Sequence, residues 1–187
     1  MKLFTIGHSN HTAERFQRLL SQYGIEVLVD VRSWPHSRFV EWVERSKIAD
    51  VAEAAGAKYL FLGEELGGRP ESADFYDDAG HVLYGKVARS ADFIAAIERL
   101  RLGVQRYRVA IMCSEEDPTS CHRRLLVAKV LLEKGLTIGH IRGDGRCETE
   151  SKPIVLSEGS LFDDEESLWR SSLSVSRRQP RRISSAA

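Results

Sequence analysis

Apolar residues fall along this chain in short runs, separated by segments in which they recur every three or four positions, and that alternation predicts strands and helices in turn. Residues 2–6 form a brief β-type run ending in Gly7-His8-Ser9-Asn10, after which Phe16, Leu19 and Leu20 recur at helical spacing. Ser9 or Asn10 is the expected N-cap of that helix and Gly24 its terminator. A second strand is expected over 25–31, a helix over 46–55 ending at Gly56, and a third strand over 59–62. Residues 66–70 and 71–80 read as loops, and Ser90 caps a helix through Leu100 with Phe93, Ile94 and Ile97 facing inward. The fourth strand, over 107–112, runs into an acidic loop, and Asp117-Pro118 reads as an N-cap with proline at the first helical position. That helix should end at Gly135, before a fifth strand over 137–141.

Strands alternating with helices imply right-handed crossovers. The expected fold is therefore α/β, a single domain with a mainly parallel five-stranded sheet flanked by helices. Every loop after a strand opens on the same edge, which collects His8, Arg32, Glu64, Cys113 and Arg142. Beyond about residue 144 the periodicity fades into serine, proline and charge. We place the domain at 1–145 and read 146–187 as a largely disordered tail, with Leu161, Phe162, Leu168 and Trp169 available to tether it through one short helix.

Composition narrows the setting. Lysine plus arginine and aspartate plus glutamate both number 27, so net charge gives no steer toward nucleic acid or membrane. An acidic run over 163–166 and a basic run over 177–182 are local exceptions, read as solvated tail or a partner-binding arm. Three cysteines with no apolar leader point to a reduced, cytoplasmic protein, and no run is long enough to span a membrane.

The chemistry concentrates after the fourth strand, where Cys113 and Glu115 precede Cys121, His122 and Arg123. Cysteine, histidine, arginine and glutamate converging on the C-terminal edge of a parallel sheet match the position in which open α/β folds bind ligands. For Cys113 alone, packing as a small apolar group is the competing explanation. A helix starting near Pro118 would bias Cys121 toward thiolate through its unpaired N–H groups. His8 offers an imidazole in a polar turn, and Asp30 at a strand end must pair with a neighbour such as Arg32. Arg32, Trp34 and Arg38 make a basic, aromatic loop suited to phosphate or a planar base. Gly67-Gly68 permits close backbone approach, or is only a turn.

These residues together resemble domain-of-unknown-function family 488. The likeness rests on Thr5-Ile6-Gly7-His8-Ser9, Asp30-Val31-Arg32 with Pro35-His36-Ser37-Arg38, Leu66-Gly67-Gly68, and Met112-Cys113-Ser114-Glu115 with Cys121-His122-Arg123. It implies an α/β fold and a shared polar site, which adds Ser9, Ser37, Arg38, Gly67 and Gly68 as substrate-binding candidates. The layout is also distantly similar to rhodanese-type domains. This loop, however, is longer than theirs and carries Glu115, Glu116 and Asp117, which would repel an anion.

The leading functional expectation is an enzyme joining His8, Asp30, Arg32, Cys113, Glu115, Cys121, His122 and Arg123 around an anionic substrate, a small molecule or nucleic acid, with Glu115 or a histidine moving protons. The alternatives are a zinc-binding or nucleic-acid-binding module without catalysis. The zinc alternative would use Cys113, Cys121 and His122 with His8; against it, adjacent Cys121 and His122 would point about 100° apart on one helix, so no metal ligand is assigned. Reaction type and cofactor stay open.

Overall fold

Six strands share one sheet: β1 (Lys2–Gly7), β2 (Val27–Asp30), β3 (Lys58–Phe61), β4 (Val109–Cys113), β5 (Thr137–Ile141) and β6 (Cys147–Glu150), in the spatial order β3-β2-β4-β1-β5-β6. The computed structural model describes residues 1–9, 11–37, 40–154 and 169–172. β1 to β5 are mutually parallel, as the strand–helix alternation requires, and β6 closes one edge antiparallel to β5. The sheet thus has six strands rather than five. Cys-Glu-Thr-Glu at 147–150 shows no apolar alternation because this edge strand is nowhere fully buried. It is held instead by polar contacts. His140 lies 2.7 Å from the Thr5 hydroxyl and 3.2 Å from Glu150, whose other oxygen accepts from Arg124 at 2.8 Å. Thr5 is fully buried, so this chain of polar groups is structural.

Successive residues of each strand face opposite sides, and each side has its own core. Phe4, Ile6, Leu28, Ala110 and Met112 meet α1 (Ala13–Gln22) and α2 (Arg45–Ala54) through Phe16, Leu19, Leu20, Ile48 and Val51. Leu3, Val29, Val109, Ile111 and Cys113 face the other side. There they meet α5 (Ala91–Val104), which follows two shorter helices, α3 (Gly63–Leu66) and α4 (Tyr84–Ala88), together with a π-helical turn at Arg123–Ala128 that runs on into α6 (Lys129–Glu133). Phe16, Leu19 and Leu20 are each 0% exposed, and burial of such side chains stabilises by roughly 1.5–3 kcal/mol apiece. Ser90 caps α5 by accepting from Phe93 N, as its position before the apolar periodicity indicates.

Two helix starts differ from expectation. Thr12, not Ser9, caps α1 by accepting from Arg15 N; position 10 lies outside the described residues. Ser9 instead takes a left-handed φ of 45°, and its N–H meets Ser114 O at 2.8 Å, tying the loop after β1 to the loop after β4. The second difference matters more. Asp117 Oδ1 accepts from Thr119 N at 2.9 Å and Cys121 N donates to Pro118 O at 3.1 Å, so the Asp-Pro signal is spent on a tight turn. Regular helical structure begins only around Arg123, leaving Cys121 and His122 at its threshold.

Beyond β6, Trp169 docks by donating to Leu125 O at 2.7 Å, and Ser171 exchanges hydrogen bonds with the Val82 backbone. The remaining residues of the expected tethering helix, the runs at 163–166 and 177–182, and Arg38 lie outside the described residues. Among the described residues, no helix is long and apolar enough to cross a membrane.

At the sheet edge Glu116 accepts from Arg142 Nη2 at 2.7 Å, from Arg142 Nε at 3.0 Å and from Gly143 N at 2.9 Å. The bonds from Arg142 hold its carboxyl below the ordinary 4.5. A carboxyl depressed by folding contributes stability above its unfolded pKa and loses it as pH falls through the folded value. Glu116→Gln should therefore lose stability near neutrality, and the gap from wild type should shrink below about pH 4.5. Urea midpoints across that range check this; a gap that widens on acidification refutes it.

Candidate functional site

β2, β4 and β1 are neighbours, so the loops leaving their C-terminal ends open side by side. A cavity of about 380 Å³ lies there, lined by Arg32, Ser33 and Trp34 after β2, by Cys113, Ser114 and Glu115 after β4, and by Ser120, Cys121 and His122 ahead of the π-helical turn. His36, Gly68, Arg69, Tyr84, Ser171 and Ser172 complete the wall.

Four side chains form a compact group in it. Cys113 Sγ donates to Glu115 Oε2 at 3.1 Å and Cys121 Sγ to the same oxygen at 3.0 Å. His122 Nε2 lies 2.9 Å from Val31 O. A carbonyl only accepts, so Nε2 carries a proton, and in the neutral ring Nδ1 keeps its lone pair. That lone pair faces both sulfurs, 3.5 Å from Cys113 and 3.9 Å from Cys121. Gly68 lets the chain pass close beside this ring, since a Cβ there would stand 2.6 Å from His122 Cγ.

Burial opposes charge on Glu115, but the Cys121 and Cys113 donors and its own backbone N–H outweigh that and hold its carboxyl down at about 2. Burial pushes the Cys121 thiol well above its ordinary value. This reverses the expectation of an acidic Cys121, for two reasons. The helix does not start at Pro118, and Cys121 is 2% exposed with the Cys113 thiol beside it.

Behind this group lies a buried network. Asp30 Oδ1 accepts from Arg32 N at 3.0 Å and Nε at 2.9 Å, while Oδ2 accepts from Nη2 at 2.7 Å and from the Tyr59 hydroxyl at 2.9 Å. Arg32 Nη2 also reaches Val43 O, and Nη1 lies 3.2 Å from His8 Nε2. His8 Nδ1 donates to Ser9 O at 3.1 Å, so Nε2 is the acceptor and both ring nitrogens are engaged. Burial, then the Arg32 charge, lowers the His8 pKa from 6.5 to about 4, so the ring is neutral near pH 7. His8 therefore positions Arg32 and has no nitrogen left for a metal.

The candidates named from sequence thus divide. Arg32, Gly68, Cys113, Glu115, Cys121 and His122 line the cavity; His8 and Asp30 sit one layer behind, through Arg32. Arg123 is fully buried, and its guanidinium donates to the carbonyls of Glu115 and Glu116. It shapes the loop rather than the cavity. Ser9 ties its loop to the loop after β4, and Ser37 serves its own loop, its N donating to Glu44 and its Oγ accepting from Val40 N. Gly67 packs tightly, with no room for a Cβ against Gly63 O and Ser33 Oγ.

Sequence reasoning missed Tyr84, Ser171 and Ser172. Tyr84 opens a five-residue helix too short to show a period, and the two serines lie in a stretch read as tail.

Metal-ligating atoms of Cys113, Cys121 and His122 all lie within 4.8 Å of one another. The sequence had offered this group but set against it a helix running from Pro118, whereas the helix starts at Cys121, whose carbonyl accepts from Leu125 N.

Comparison with curated proteins and with solved structures returned no match, so the likeness to rhodanese-type domains gains no support. A family model does match, over residues 12–130, which include Asp30, Arg32 and the whole Cys113–His122 stretch. The chain belongs to the family described as Domain of unknown function DUF488.

Proposed function

We propose that the cavity is an enzyme active site for an anionic substrate carrying a planar group, a nucleotide being the simplest that fits. The observation that carries this is the shared lining: Arg69 and Trp34, both solvent-exposed, border the same space as the Cys113–Glu115–Cys121–His122 group. Arginine recognises phosphate or carboxylate oxygens in a fork, and an exposed indole offers a stacking face. Serine hydroxyls on three sides supply neutral donors.

Reactivity lies at the floor. A general base works best with a pKa near the working pH, and the Glu115 carboxyl, at about 2, has little proton affinity there. Its part is electrostatic, holding the two thiols and setting the charge against which substrate binds. The sulfur and imidazole lone pairs are the groups able to attack or polarise. Free, hydrogen-bonded thiols suit the reducing cytoplasm.

Calorimetric titration with a nucleoside monophosphate, the matching nucleoside and inorganic phosphate tests the reading. Arg69→Ala should weaken the monophosphate far more than the nucleoside, and Trp34→Ala should weaken both by about tenfold, the size of a lost base–aromatic stack of roughly 1–3 kcal/mol. Absence of binding by all three at millimolar concentration refutes the proposal. A non-catalytic nucleic-acid module would instead bind oligonucleotides with an affinity that falls steeply with salt.

A further inference from the structure

We propose that Cys113, Cys121 and His122 bind one zinc ion, with a fourth coordination position left to the cavity they line. The inference rests on the same pocket as the proposed active site but not on its being catalytic.

The donor set is the first argument. Two thiols and one imidazole are the ligands that zinc favours over harder cations, and three protein ligands beside an open position is the arrangement of catalytic zinc sites. Geometry is the second. With Zn–S near 2.3 Å and Zn–N near 2.05 Å, the tetrahedral edge between sulfur and nitrogen is about 3.6 Å. Nδ1 of His122 stands 3.5 Å from one sulfur and 3.9 Å from the other. These two edges already fit, and the ligating atoms of all three residues lie within 4.8 Å of one another.

Orientation is the third argument. A ligating imidazole commonly donates its other N–H to a carbonyl or carboxylate, which fixes the tautomer and aims the lone pair. His122 does this through Nε2 to Val31 O at 2.9 Å, and Gly68 closes against its ring. The 100° divergence expected of neighbours inside a helix does not keep them apart, because Cys121 stands at the helix start, its carbonyl accepting from Leu125 N, and the ligating atoms of both residues lie within 4.8 Å of each other. His8, considered as a fourth ligand, is excluded by its engagement with Ser9 and Arg32.

Binding is written as Zn²⁺ plus two thiols giving the dithiolate complex and two protons released to solvent. No oxidant or reductant is involved.

The test uses the full chain, purified reduced and without chelator. Elemental analysis should find one zinc per chain. Replacement by Co²⁺ should give the intense visible bands of a tetrahedral site and a sulfur-to-cobalt charge-transfer band in the near ultraviolet. Zinc added to stripped protein in dilute buffer should release about two protons per ion. Cys113→Ser, Cys121→Ser and His122→Ala should each weaken binding by about a hundredfold or more, while Cys147→Ser should not. The proposal is overturned if stripped, reduced protein takes up neither ion, if cobalt gives only weak octahedral bands, or if ion content is unchanged in both Cys121→Ser and His122→Ala. Should these variants fail to fold, the cobalt spectrum of the unaltered chain decides alone. Failure of zinc binding with nucleotide binding intact removes the metal and leaves the active-site reading. Zinc bound in a pocket that takes no anion does the reverse.

Discussion

Replacing Asp30 by alanine should destabilise the fold by roughly 3–5 kcal/mol, the usual cost of leaving one charge of a buried ion pair without its partner. Asp30 is 0% exposed and Arg32 3%, so water cannot take over when the carboxylate goes. The guanidinium would keep only Val43 O and the lone pair of His8, and Tyr59 would lose the acceptor for its hydroxyl. In a chain of this length a loss of that size lowers the melting temperature by about 10 °C. Urea unfolding checks the figure, and a loss under about 1 kcal/mol would mean that solvent enters the site. The double variant Asp30→Leu with Arg32→Met provides the control. A buried pair removed whole is often nearly neutral. The double variant should therefore recover most of the stability while still losing whatever the Arg32 charge does for ligand binding.

Arg123→Met should cost about 2–5 kcal/mol, although among the described residues its guanidinium bonds to backbone carbonyls and not to a carboxylate. Its guanidinium is fully buried and satisfies the carbonyls of Glu115 and Glu116; methionine fills much of the volume and satisfies neither. Each buried carbonyl left without a donor costs roughly 1–3 kcal/mol. Lysine should rescue only in part, since one ammonium on a single stem does not reproduce a planar fork spanning two consecutive carbonyls. Chemical denaturation of the two variants measures the difference. A second readout separates loop shape from global stability: at temperatures where Arg123→Lys is fully folded, Glu115 should no longer meet both thiols, and alkylation of Cys113 should accelerate. Unchanged alkylation with lowered stability would make Arg123 a packing residue alone.

The parallel strands were legible in the chain because a strand buried on both faces must be apolar throughout, as Ala110, Ile111 and Met112 are. Edge strand β6 was not, since it is held by His140, Glu150 and Arg124 rather than by apolar burial. Cys113, Glu115, Cys121 and His122 could be named as a group from their residue types and their place after a buried strand. Their mutual geometry could not, because it depends on where the helix begins. That point is held by the Arg123 guanidinium, which donates to two loop carbonyls, whereas Asp117-Pro118 carries a local signal that a turn can also use. His8 and Asp30 were visible as polar residues at strand ends, but that they act through Arg32 is a matter of side-chain direction across two loops. The wall supplied by Ser171 and Ser172 had no signal, since it comes from residues far along the chain that return to the Val82 backbone and to Ser120 O.

The π-helical turn at Arg123–Ala128 sets a phase relation between two halves of one segment. A π turn holds one more residue than an α turn, and that residue is an insertion in the rotational sense. Downstream of it, Leu131 and Leu132 are locked to the core; upstream, Arg123 is locked to the loop and the Cys121–His122 pair is carried with it. Shortening the turn by one residue would satisfy the helix and rotate everything upstream by about 100°. Leu131 and Leu132 would keep their places, yet Arg123 would leave its loop carbonyls and the sulfur of Cys121 and the imidazole of His122 would swing away from Cys113. A single codon in this turn thus acts as a clutch between the helix that packs on the sheet and the site that exists only while it is engaged.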